Sequence, residues 1–189
     1  MPPWLTGIVF PMTADNDNRD LAELFELEIW PLIPTAELAP AAPWRAPARA
    51  PRSRLDVGTL VLDSSAVVTV IHREDGYRHL LAAMEEAAEL AIATPTLLQA
   101  TALLVGRLGP LGRLVLARFL EEAEVQAVPF DQGRQRIAAR AFVRFGDGRH
   151  PAALTSTDCA AYATARLAGA PLLYAGKGFP LTDIAIAGT

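Results

Sequence analysis

Thr59-Leu60-Val61-Leu62-Asp63-Ser64-Ser65-Ala66-Val67-Val68 is the stretch on which the reading of this chain turns. Its first half is apolar, short and preceded by Gly58, the pattern of a buried strand. A carboxylate then closes the strand, followed by two hydroxyl residues and an apolar helix start. In open parallel α/β sheets, ligands bind just beyond the carboxyl ends of the strands. An acid there is well placed to hold a metal ion or to polarise water. Asp and Ser are equally ordinary helix N-caps, so this segment alone leaves Asp63 as much a cap as a ligand.

Residues 57–189 alternate between strand and helix patterns. Helical spacing runs from Ser64 to about Arg73 and from about Tyr77 to Leu90. Ala91 to Ala93 reads as a short strand. Thr94-Pro95 reads as an N-cap hydroxyl followed by proline in the first turn, opening a helix to about Arg107. A further helix spans about 110–123, a strand Val125 to Pro129, and a helix runs from Asp131 to about Phe145. After the loop Gly146 to Pro151, Thr155 starts a helix ending near Gly169, Pro171 to Tyr174 is a strand, and Ile184 to Ala187 is a candidate last one. Such alternation argues for an α/β fold with a mainly parallel sheet covered on both faces.

Residues 1–56 differ. They hold 9 of the 15 prolines and all three tryptophans, and 41–54 read as a Pro/Ala/Arg linker without a packed core. Between Asp15 and Ile33, acids alternate with Leu21, Leu24, Phe25 and other apolar residues, the pattern of a short acidic amphipathic helix within a poorly ordered extension. Such a segment would suit a basic groove, on this chain or another. One use would be to cover the site in cis.

The 189 residues suffice for one ordinary domain with an appendage. No run of 18 or more residues is uniformly apolar, and the start lacks the pattern of a secretory signal, so a cytoplasmic protein without a membrane span is expected. The single cysteine, Cys159, excludes an internal disulfide and a multi-cysteine zinc site, and reads as a small core residue. A net charge of −4 does not advertise nucleic-acid binding, but patches matter more than the sum.

A second acid, Asp158, lies in Thr155-Ser156-Thr157-Asp158-Cys159, at capping-box spacing from Thr155. Alone, it too has a purely structural explanation. Together the segments carry more. Val61-Leu62-Asp63-Ser64-Ser65-Ala66, Gly148-Arg149-His150-Pro151-Ala152-Ala153-Leu154, Asp158-Cys159-Ala160-Ala161-Tyr162-Ala163, Pro171-Leu172-Leu173-Tyr174-Ala175-Gly176 and Phe179-Pro180-Leu181-Thr182-Asp183-Ile184 resemble, in order and spacing, the PIN-domain ribonucleases of the VapC toxin type.

The resemblance covers about 59–187 and implies a PIN-like three-layer α/β/α sandwich. It implies an RNA-hydrolysing toxin using Mg²⁺ or Mn²⁺ held by clustered acids, a cognate antitoxin as partner, and a homodimer. Carboxylates suit hard cations, and the cation lowers the pKa of its water and offsets phosphate charge. Carried over, Asp63 and Asp158 are the catalytic metal ligands and Asp183 an accessory one. The family's helical Glu is matched by Gln99, a neutral remnant ligand. The acid before the family's Phe is absent, because Gly176-Lys177-Gly178-Phe179 puts Gly178 there. With two carboxylates lost, the alternative is a weak or inactive PIN domain acting as an RNA- or protein-binding module.

Among the remaining residues, His150 reads as a structural anchor of its loop, with RNA contact as the alternative. His72 and His79 read as surface or cap residues. Arg136, Arg140 and Arg144 share a helical face, solvated by default and phosphate-contacting in the functional reading.

Overall fold

The computed structural model describes residues 58–187. The acidic segment 15–33 and the rest of 1–56 lie outside them. Four parallel strands form one sheet in the order β3-β2-β1-β4: β1 (Thr59–Leu62), β2 (Glu89–Ala93), β3 (Gln126–Val128) and β4 (Leu172–Leu173). Six α-helices are present among the described residues: α1 (Ser64–His72), α2 (Tyr77–Glu86), α3 (Thr94–Leu108), α4 (Leu111–Glu122), α5 (Gln132–Phe145) and α6 (Ser156–Ala168). A 3₁₀ turn follows at Phe179–Leu181. This is the α/β/α sandwich expected from the sequence. None of the described helices is long and apolar enough to cross a membrane.

β1 lies inside the sheet and every residue of it is buried, as a strand covered on both faces requires. It registers Leu62 against Ile92 of β2 and against Leu173 of β4. Beyond the strand, the Asp63 amide donates to the Leu173 carbonyl at 2.9 Å. The carboxyl edge of β1 is therefore fixed by the sheet, and Asp63 with it. β3, whose Gln126 and Ala127 are exposed, is the edge beside β2.

α1 starts on Asp63 and ends at Arg73, whose φ of 54° lies in the left-handed region. The helix buries seven of its nine residues, from Ser64 to Ile71, so the chain leaves the sheet directly into the core.

Three expected boundaries are corrected. The second helix stops at Glu86 rather than Leu90, because Ala87 turns extended and Glu89 to Ile92 pair with β1 instead. Sheet pairing there overrides local helical spacing. Thr94 is not the N-cap of α3: Ala93 holds that position without a side-chain bond, since β2 runs into the helix with no loop. Ile184 to Ala187 is not a full strand but a single bridge, Leu172 to Ile186.

α3 and α4 approach so closely that a Cβ built on Gly112 would lie 2.4 Å from the carbonyl carbon of Leu104. Cys159 is 1% exposed within the cluster that includes Val61, Phe145 and Tyr162.

Candidate metal centre

Asp63 is both a cap and a candidate ligand. Its Oδ2 accepts the Ser65 amide at 2.9 Å and the Ser65 hydroxyl at 2.6 Å, closing the first turn of α1. Its Oδ1 is buried with no hydrogen-bond partner. The residue is only 2% exposed. A buried carboxylate oxygen with no donor carries a large desolvation cost. Burial accordingly pushes the Asp63 carboxyl up to about 6, and the nearby charge of Asp158 adds to that. A cation would relieve both effects.

Asp158 faces the same cleft, a space of about 240 Å³ also walled by Ala152, Leu154, Tyr174 and Phe179. Its Oδ2 accepts the Thr155 amide at 2.8 Å while the Thr155 hydroxyl accepts the Asp158 amide at 3.2 Å, a reciprocal capping box. The helix dipole of α6 favours negative charge at this end. The box thus orients the side chain without consuming the whole carboxylate.

Gln99 lies on α3, where its Oε1 accepts the Ser64 hydroxyl at 2.9 Å. It touches the neighbour of Asp63 but is not a wall of the cleft. Asp183 is held elsewhere. Its Oδ1 accepts the Tyr162 hydroxyl at 2.6 Å, and its Oδ2 accepts Arg144 Nη1 at 2.8 Å. The Tyr162 bond, then Arg144, keep its carboxyl below the usual carboxylate range. Tyr162 in turn is pushed up to about 12, by burial first and by Asp183 second. Of the four expected ligands, the structure brings Asp63 and Asp158 to one cleft and engages Gln99 and Asp183 with other side chains. Among the described residues, no three His, Cys, Asp or Glu side chains form a group able to hold a metal.

At Gly178, where the sequence resemblance expects an acid, the structure leaves little room for a side chain. A Cβ there would stand 2.7 Å from the Ala152 carbonyl oxygen and 3.3 Å from Leu154 Cδ2. The wall from Ala152 to Leu154 has closed onto the space that a side chain would need. Gly178→Asp is therefore expected to lower stability by about 1–3 kcal/mol, the usual cost of overpacking, without tightening metal binding. Thermal denaturation and a Mg²⁺ titration check both parts. A tighter Mg²⁺ affinity with an unchanged melting temperature would contradict this reading of the wall.

Two contributors went unread in the sequence. Ser65 donates to Asp63 and also accepts the Ala175 amide at 3.0 Å, tying the start of α1 to the segment after β4. Its signal was a hydroxyl two residues beyond the acid. Ala153 adopts a φ of 48° in the cleft wall, a conformation that costs a non-glycine residue about 1 kcal/mol. His150 is an anchor, as expected: its Nδ1 accepts the Ala152 amide at 3.1 Å, and its ring meets Phe145 edge-on at 5.3 Å. The Cys159 thiol is pushed up to about 12 by burial, with Asp158 adding to it.

The fold is a parallel α/β sandwich with one acid at the end of a central strand and a second at a helix start. The PIN domain profile matches residues 60–185. Ribonuclease VapC36 of Mycobacterium tuberculosis is 36% identical over 130 residues, which span 68% of this chain and 94% of that protein. The solved structure of M. tuberculosis VapC20, a sarcin-ricin loop cleaving toxin, matches with a TM-score of 0.58 at 15% identity, over 69% of this chain and 99% of that one. VapBC2 from Rickettsia felis, solved bound to a promoter DNA fragment, matches at a TM-score of 0.53 and 16% identity over 68% of this chain and 96% of that one. The chain belongs to the PIN-domain family, among its VapC ribonucleases.

Proposed function

We propose that this chain is a divalent-metal-dependent endoribonuclease toxin, with Mg²⁺ or Mn²⁺ held by Asp63 and Asp158. The observation that carries this is the buried, unpartnered Oδ1 of Asp63 in a cleft it shares with Asp158. Hard carboxylate oxygens suit these cations. When bound, the cation would lower the pKa of water and offset charge on the phosphate. The protein's own part is positioning. Ser65 fixes the rotamer of Asp63, the capping box fixes Asp158, and Ala152, Leu154 and Phe179 give the cleft apolar walls. To join the site, Asp183 would have to release Tyr162 or Arg144, and Gln99 would have to release Ser64.

A cognate antitoxin is the partner that the VapBC2 neighbour suggests, and a second copy of the chain is the partner that the sequence resemblance implies. Leu98 and Leu114, exposed on α3 and α4, are apolar surface that a partner would cover. A cytoplasmic location follows from the same reading.

The second reading, a binding module without catalysis, is favoured by the shortage of carboxylates at the cleft. Calorimetric titration of Mg²⁺ and Mn²⁺ separates the two. The nuclease reading expects saturable binding that Asp158→Asn weakens by at least the roughly 10–100-fold that losing a ligand's own hydrogen-bond partner costs, with RNA cleavage falling in parallel. No heat of binding at millimolar metal, with no RNA cleavage, would leave the binding module.

A further inference from the structure

Helix α5 carries charge of one sign only. Gln132–Phe145 contains Arg134, Arg136, Arg140 and Arg144 and no acid, in a chain whose net charge is −4. Arg134 is buried and bonds its own N-cap, Asp131, at 3.2 Å, so it belongs to the helix start. The other three recur every four residues and are exposed. They therefore line one face on successive turns, each about 6 Å further along the axis.

A face kept merely for solubility mixes signs. α4 does so, with Arg118 bonded to Glu122 one turn on. On α5, Arg136 and Arg140 make no ion pair among the described residues. Like charges one turn apart weaken a helix, so the row is tolerated at a cost that a polyanion would remove.

The row also leads somewhere. α5 ends in the segment Gly146 to Leu154, which is clamped to its last turn by the Leu154 amide on the Phe145 carbonyl at 3.0 Å. Ala152, Ala153 and Leu154 of that segment wall the cleft of Asp63 and Asp158. Arg144 is set in place by Asp183 and by the Phe145 ring, its guanidinium 4.5 Å from the ring centroid. Arg149 is exposed within the clamped segment.

We propose that the arginine face of α5 is the track along which a single-stranded RNA backbone runs to the cleft, Arg136 and Arg140 pairing with successive phosphates. This rests on the ribonuclease reading above. A single strand fits better than a duplex. The cleft is a space of only about 240 Å³, which suits one splayed, unpaired nucleotide and not a duplex.

The test measures binding of a single-stranded RNA oligonucleotide to the full chain in EDTA by fluorescence anisotropy across a salt series. Each lost phosphate contact should flatten the plot of log affinity against log salt by about 0.7. Arg136→Gln with Arg140→Gln should therefore flatten it by roughly 1.4, and with metal present should lower kcat/KM through KM. Arg136→Lys with Arg140→Lys should keep the wild-type slope and control for folding. Asp63→Asn should lose cleavage but not slope.

Wild-type protein that cleaves RNA with the same slope in the Gln variant would overturn the track alone. Wild-type protein that neither binds nor cleaves RNA would overturn the ribonuclease reading and the track together. A slope lost toward a polyglutamate peptide but kept toward RNA would overturn the RNA assignment and mark the face as a protein-docking surface.

Discussion

Asp63→Asn is expected to abolish divalent-metal binding and, in metal-free protein at neutral pH, to raise the melting temperature. The two effects share one cause. In the folded chain the Asp63 carboxyl is pushed from its ordinary 3.8 up to about 6. The fold therefore binds this proton more tightly than the unfolded chain does. Below pH 3.8 both states are protonated and the group exerts no penalty. As pH rises from there to about 6, the unfolded chain ionises first and stability is lost; above about 6 the loss is complete. The interval corresponds to about 3 kcal/mol, an upper bound on what a neutral amide would recover. For a domain of this size that is a gain of at most roughly 10 °C.

Thermal melts in EDTA between pH 4 and 8 should show the variant and wild type diverging across that interval. Added Mg²⁺ should then raise the wild type and leave Asp63→Asn unmoved, with RNA cleavage reduced roughly 100-fold or more. Parallel pH profiles for the two proteins would remove the claim that Asp63 is held at a cost to the fold.

Gly112→Ala should have the largest effect on the fold itself. Gly112 is buried near the start of α4, and an added Cβ would meet backbone only: the Leu104 carbonyl carbon at 2.4 Å, its oxygen at 2.5 Å and the Val105 amide at 2.6 Å. Backbone cannot rotate away as a side chain can. Alanine favours helix over glycine by up to about 1 kcal/mol, but separating α3 from α4 would disturb Leu104, Leu116 and Phe119, all buried. Overpacking of this kind costs about 1–3 kcal/mol or more, so the packing penalty outweighs the helix preference. Chemical denaturation should report a lower midpoint with an unchanged slope. A midpoint raised above wild type would show that propensity wins and that the two helices can part cheaply.

What could be read before any coordinates follows from what is local. The β1 strand, the caps at Asp63, Asp131 and Thr155, and the helix-strand alternation are written in neighbouring residues, and the structure places them within a residue or two. The overrun of α2 and the mistaken cap at Thr94 arose where β2 pairs with β1, a preference spelled 30 residues away in Thr59 to Leu62. The site divides the same way. Acids at a strand end and at a helix start are visible in sequence. That Arg144 reaches across 39 residues to Asp183, that Ser64 reaches 35 to Gln99, and that Ala152 closes on Gly178 are not. Each depends on where two segments meet, and no spacing rule encodes that.

The sealed environment of Cys159 has a practical side. The thiolate is the reactive form, and a thiol that is 1% exposed and pushed up to about 12 offers almost none of it to maleimides or iodoacetamides at neutral pH. As the chain has no other cysteine, a single one introduced at an exposed site such as Ala139 on α5 would take a fluorophore selectively, with the native sulfur left in place.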